Sequence, residues 1–117
     1  MINYQSDQKI EKRKNMRGGN GEVTLVHYFE KENFHTNVRL CTRLEIPPGA
    51  GIGQHIHDNE EEIYIITRGE CMICEDGCEK KAAAGDAILT GSGSSHSVKN
   101  TGQEILEITA VIIVQQP

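Results

Sequence analysis

The chain is short of positive charge: twelve Lys and Arg stand against seventeen Asp and Glu, a formal net charge of -5. Its only basic cluster is Lys12-Arg13-Lys14, too little to neutralise a row of phosphates, so nucleic acid is not an expected partner. Long apolar runs are missing as well. No stretch approaches the roughly 20 residues of a membrane span, and the N-terminal MINYQSDQKIEKRK has no hydrophobic signal core. The expected location is the cytoplasm, with no membrane contact and a small molecule as partner. Nor does helical periodicity establish itself anywhere. A chain of 117 residues should form one domain and bury roughly two-thirds of its unfolded surface without help from disulfides or metal. A metal here would therefore serve function rather than folding.

What the sequence has instead is punctuation. Turn signals recur at Gly49-Ala50-Gly51-Ile52-Gly53, Arg68-Gly69, Asp76-Gly77, Ala84-Gly85-Asp86, Gly91-Ser92-Gly93 and Asn100-Thr101-Gly102. The segments between them read as short strands, at residues 23–29, 38–46, 63–67, 70–74, 87–90, 96–99 and 105–114, a pattern that predicts a sandwich or barrel. In the last segment Leu106, Ile108, Ala110, Ile112 and Val114 form one apolar phase against Glu107 and Thr109, so one face is core. Ile63-Tyr64-Ile65-Ile66 is apolar in both phases; something must cover its second face, and a homodimer is expected. Residues 1–21 are polar and charged and read as an N-terminal arm that can lie against a core without building one, leaving 22–117 as the single barrel domain.

The four cysteines do not read as a metal site. Cys71 and Cys74 are an odd number of residues apart in a strand and leave opposite faces. Cys74 and Cys78 flank the Asp76-Gly77 hairpin and could approach each other across it. Free thiols in a reducing compartment are the expectation, with Cys41 alone elsewhere.

Among the five histidines, His55 and His57 are two apart, so in a strand both imidazoles leave one face. Glu62 follows at the start of the next apolar segment, and His96 comes just after the Gly91 to Ser95 turn. Spacing alone leaves two readings open: three imidazoles and a carboxylate gripping one ion, or two surface-loop histidines beside a solvated acidic run. Three imidazoles and one carboxylate would suit Mn, Fe, Ni, Cu, Co or Zn better than Ca or Mg. His27 and His35 are expected to have other roles.

The glycine framework is more specific. Gly49, five residues, His55-Ile56-His57, four residues, Glu62, six residues, Gly69 resembles the first motif of the cupin superfamily. Gly85, five residues, Gly91-Ser92-Gly93, two residues, His96, three residues, Asn100 resembles the second. Fifteen residues separate them, similar to small single-domain bacterial cupins, and the flanking strands extend the likeness over about residues 22–115. One departure is Gly91, where the second motif usually has proline; the turn loses a fixed φ while able to follow the same path. The resemblance implies an all-β double-stranded β-helix, or jelly roll, with a divalent transition metal inside its wider mouth on His55, His57, Glu62 and His96. Two coordination positions would then be open to water, dioxygen or a carboxylate.

Tyr64 and Ile66 share strand phase with Glu62, and Val98 shares it with His96; all three are candidate pocket lining. Arg39 and Arg43 share one phase of their strand and could clamp an anionic ligand beside the metal, although the more apolar opposite phase favours solvated arginines; Glu60 and Glu61 read as solvent-facing turn acids. The fold hosts many reactions. The first expectation is a metal-dependent enzyme acting on a small oxygenated or carboxylated metabolite. The alternative is a non-catalytic metal-dependent binding or sensing module, favoured by the scarcity of loops for a lid and of an acid or base beside the ligands.

Overall fold

The computed structural model describes residues 1–115. Ten strands follow one another: β1 (Ile10–Lys14), β2 (Glu22–Phe29), β3 (Val38–Ile46), β4 (Gly51–Ile56), β5 (Glu60–Arg68), β6 (Glu70–Glu75), β7 (Cys78–Ala83), β8 (Ala87–Gly91), β9 (Ser95–Asn100) and β10 (Leu106–Val114). They form two antiparallel sheets, ordered β1-β2-β3-β10-β5-β8 and β4-β9-β6-β7. The inner faces close on one apolar core, giving a jelly-roll barrel. Residues 116–117, the last two of the span expected to form the barrel, lie outside the described residues.

The period-2 pattern explains the layers. Leu106, Ile108 and Ala110 of β10 are fully buried between β3 and β5, and Tyr64 and Ile66 of β5 face the same core. Ile63 and Ile65 necessarily leave the other face of that strand, where Ile65 stays exposed together with Leu89 and Ile113. The β6–β7 hairpin turns at Asp76 and Gly77, whose φ of 47° and 81° suit the tight two-residue turn that Asp-Gly encodes. Buried Asn100 fastens a corner: its Nδ2 donates to the carbonyls of Ile46 and Glu104, each at 2.8 Å, and its Oδ1 accepts from the Gly102 amide.

Three strands lie where the sequence offered no alternation. β7 reads CEKKAA and is exposed along most of its length at a sheet edge, its lysines guarding that edge against stray pairing. β4 occupies the glycine run. β1 lies inside the polar lead and pairs with β2, Arg13 opposite Val23 and Glu11 opposite Leu25. After it the chain makes a short 3-10 turn at Met16–Gly18, with Met16 packed on the core. Gly91 ends β8 against β5, where a Cβ would stand 2.9 Å from the Glu60 carbonyl oxygen and 2.6 Å from Glu61 Cγ. The missing side chain is thus required by close approach as well as permitted by the turn.

Candidate metal centre

Each candidate ligand is placed by a different local device. His55 and His96 are direct partners across β4 and β9, so their side chains share the inner face. His57 lies just past β4 and is held in line by its amide donating to Ser94 O and by its carbonyl accepting from Gly93 N, both 3.0 Å. Glu62 comes from the other sheet, on the inward phase of β5. The two sheets therefore converge on one point at the end of the barrel, and the four donor atoms all lie within 4.8 Å of one another.

Nε2 of His96 is 3.0 Å from Nε2 of both His55 and His57. Glu62 Oε1 is 2.9 Å from His57 Nε2 and 3.0 Å from His96 Nε2. The far side of two rings fixes their tautomers. His55 Nδ1 donates to the Gly53 carbonyl at 2.7 Å and His57 Nδ1 donates to the Glu60 carboxylate at 2.6 Å, which leaves a lone pair on each Nε2.

This arrangement fits a cation. Glu62 Oε1 is buried without a properly aligned hydrogen bond, although two imidazole nitrogens stand close to it. The donor atoms crowd together, with His96 Nε2 at 3.0 Å from both other imidazole nitrogens. Donors about 2.1 Å from an ion are about 3.0 Å apart when they meet at right angles and about 3.4 Å apart at the tetrahedral angle. The four contacts of 2.9 to 3.0 Å are of the right-angle length, close enough for these neighbours to share one ion.

The electrostatics pull the members of this cluster in different directions. Burial alone would raise the Glu62 carboxyl, but His57 and His96 outweigh it and hold it down to about 2. Burial lowers the His55 imidazole and favours its neutral, ligating form. Glu62, and then Glu60, raise His57 against its burial. Burial, reinforced by the Glu62 charge, keeps the Tyr64 phenol protonated well above its ordinary range.

The centre opens into a cavity of about 100 Å³ whose wall includes His55, His57, Glu62 and Tyr64. Tyr64 also stacks on the His96 ring, centroids 4.9 Å apart. Ile66 and Val98 share the expected strand phases but sit deeper, in the sealed core, and do not line this cavity. Each is one step further along its strand from the mouth. The cysteines stay apart from the centre: all four are free thiols, and burial in the core raises Cys71 to about 11.

Two residues are corrected by the structure. Glu60 is not a solvated turn acid; its carboxylate holds His57 and takes both Arg39 Nε and Nη2 at 2.8 Å. Its signal was its position two residues before Glu62, in the same strand phase. Arg39 lines the cavity because the pairing of β3 with β10 skips it, Leu40 opposite Ile112 but Val38 opposite Ile113; a bulge there breaks the alternation that would have turned it outward. Arg43 does face away, over the Tyr28 ring and beside Glu45. Buried His27 bonds Glu11 at 2.7 Å, outside the centre.

Comparison with known proteins places this geometry in a wider set. A family model described as a cupin domain matches residues 42–112. The chain is similar to an oxalate-binding protein of Thermotoga maritima, 44% identical over 114 residues that cover 97% of this chain and 94% of that protein. The crystal structure of a predicted oxalate decarboxylase from Thermotoga maritima superposes with a TM-score of 0.92 at 44% identity, covering 97% of this chain and 99% of that one. The cupin domain of Schizosaccharomyces pombe Cnp3 superposes with a TM-score of 0.73 over 90% of this chain and 69% of that one, and at 12% identity it speaks for the fold alone.

Proposed function

The chain belongs to the cupin family, and from that premise we propose that it holds a divalent transition metal on His55, His57, Glu62 and His96 and takes a small oxygenated or carboxylated metabolite there as a metal-dependent enzyme. One observation carries the reading: three imidazoles and a carboxylate gather donor atoms within 4.8 Å of one another, and the Glu62 oxygen among them is buried and unbonded. The donor set suits Mn, Fe, Ni, Cu, Co or Zn. Bound there, the metal would supply Lewis acidity and a seat for carboxylate oxygens or dioxygen.

The chain's own residues set the rest. Leu25, Leu44, Ile52 and Ile112 supply the apolar half of a mixed wall, beside which polar contacts with a ligand are stronger than in open water. About 100 Å³ is the volume of a few waters at about 30 Å³ each, which suits a ligand of a handful of heavy atoms. A carboxylate of oxalate size fits that volume, and the relatives' names point the same way.

Non-catalytic binding is the second reading, and one observation favours it. Apart from the ligands, the cavity wall offers only Tyr64 and three arginines as polar groups, and none is poised as a base at neutral pH. Metal analysis of untagged protein, followed by incubation of the metal-loaded form with oxalate with and without dioxygen, separates the readings. Turnover supports the enzyme. Saturable binding with oxalate recovered intact supports the binding module, and protein that takes no metal overturns both.

The same proposal includes a homodimer of single-barrel protomers, each with residues 1–21 as an arm. The apolar outer face of the larger sheet, with Ile65, Leu89 and Ile113 exposed, supports it. Scattering mass at micromolar concentration tests it, a monomer being the contrary result.

A further inference from the structure

We propose that Arg17 recognises the second negative charge of a dianionic ligand at this centre, making the site selective for small dicarboxylates over monocarboxylates. The inference rests on the metal-and-carboxylate reading above and names the feature that would distinguish among such ligands.

Arg17 reaches the cavity from outside the barrel proper. It lies on the polar lead, yet it lines the same cavity as His55, His57 and Glu62. Its backbone is in the left-handed region, φ 54° and ψ 30°, a conformation that disfavours a residue with a Cβ and survives only where the surroundings impose it. Here they do. The Arg17 carbonyl rests on Gly53, where a Cβ would stand 1.9 Å from its oxygen, and Gly19 rests on the Gly51 carbonyl, where a Cβ would stand 2.3 Å away. Gly53 and Gln54 of β4 bulge against Ser97 between the Ile52–Val98 and His55–His96 pairs. The lead is thus seated on Gly51 and Gly53, four and two residues before His55, and Arg17 is carried to the mouth at the expense of a strained backbone.

Charge bookkeeping among the cavity's three arginines singles out Arg17. Arg39 is matched by Glu60 through two bonds. Arg13 shares Glu11 at 3.3 Å. Arg17 has no carboxylate at ion-pair distance among the described residues. A divalent ion and ionised Glu62 sum to one positive charge, since neutral imidazoles add none. A monocarboxylate brings that site to neutrality by itself. A dicarboxylate leaves one negative charge in a narrow cavity walled in part by Leu25, Leu44, Ile52 and Ile112, which is costly without a counter-charge. The Arg17 guanidinium supplies it, with a planar fork that suits a carboxylate.

The test is calorimetric and uses the full chain loaded with manganese(II), titrated with oxalate and with glycolate, which also offers two oxygens but only one negative charge. Arg17→Gln should leave manganese affinity unchanged, weaken oxalate by about tenfold or more, the scale of a lost charge-assisted pair, and leave glycolate near its original affinity. Arg17→Gly, which suits left-handed backbone, should do the same and shows that the loss does not come from a misfolded lead. An oxalate-to-glycolate ratio unchanged in both variants overturns this inference while the metal-and-carboxylate reading stands. Wild-type protein that takes manganese but neither acid, or no manganese, overturns that reading and this inference with it.

Discussion

Glu60 Oε2 accepts from His57 Nδ1 at 2.6 Å while the same carboxylate is gripped by Arg39 through two bonds of 2.8 Å. An exposed arginine on one strand thereby orients a buried imidazole through a carboxylate on another. Arg39, first, and His57 hold the Glu60 carboxyl below its ordinary range, so it stays ionised and fixes the His57 tautomer that leaves Nε2 free. Outer partners of this kind typically carry about 10- to 100-fold in metal affinity. Glu60→Gln is expected to weaken divalent-metal affinity within that range while the far-ultraviolet dichroism stays unchanged. Glu62→Gln should weaken it at least as much, and Glu61→Gln should leave it unchanged. A metal titration of the three variants decides this; equal effects at 60 and 61 would remove Glu60 from the centre.

The strands with a clear apolar phase were legible in the sequence: β3 matches the expected residues 38–46, and β10 presents the expected core face. The gathering of His55, His57, Glu62 and His96 was legible through two spaced motifs, because glycines at turns and donors on one strand face leave a fixed rhythm. β1 and β7 were not, since edge strands in contact with water need no apolar phase. The outward reading favoured for Arg39 over a place beside the metal failed because a bulge is a fault in register, and register belongs to a pair of strands rather than to either sequence. Arg17 reaches the cavity through a backbone conformation that its residue type does not announce.

That conformation has a stability consequence separate from ligand binding. A residue with a Cβ pays roughly 1–2 kcal/mol in the left-handed region, whereas glycine loses about 0.5–1 kcal/mol through its freer unfolded chain. The first effect is larger, so Arg17→Gly is expected to stabilise the apoprotein by about 0.5–1 kcal/mol. Urea unfolding without metal measures it. A loss of stability would show that the Arg17 side chain holds the lead in place.

Gly53→Ala attacks the same contact from the strand. A Cβ at 53 meets the Arg17 carbonyl oxygen at 1.9 Å, and the obstacle is backbone on both sides, so no rotamer relieves it. Overpacking of this kind costs about 1–3 kcal/mol, and detachment of the lead is the cheaper response. Trypsin is expected to cleave at Lys12, Arg13, Lys14 or Arg17 faster in the variant, while the core resists. Unchanged cleavage would mean that the lead and β4 shift together.

The remaining prediction concerns pH and a residue away from the metal ligands. Asp76 Oδ1 accepts from the Ser95 amide at 2.9 Å, and the Asp76 amide donates back to Ser95 O at 3.1 Å, so the β6–β7 turn holds the start of β9. The Ser95 amide, then Ser94 and Ser95 hydroxyls, lower the Asp76 carboxyl from its ordinary value. With the folded value below the unfolded one, the unfolded chain binds the extra proton. The Asp76 contribution is therefore fully present above the unfolded value of about 3.9 and is lost as pH falls through the folded value. Asp76→Asn keeps an acceptor oxygen but not the charge. It should be less stable than the natural chain at neutral pH, and the gap should close toward pH of about 2 to 3, where protonated Asp76 and Asn are nearly alike. Urea midpoints of metal-free protein across that range test the sign. A gap that stays constant would show that the Asp76 contacts act through shape alone, and a gap that widens on acidification would reverse the assignment.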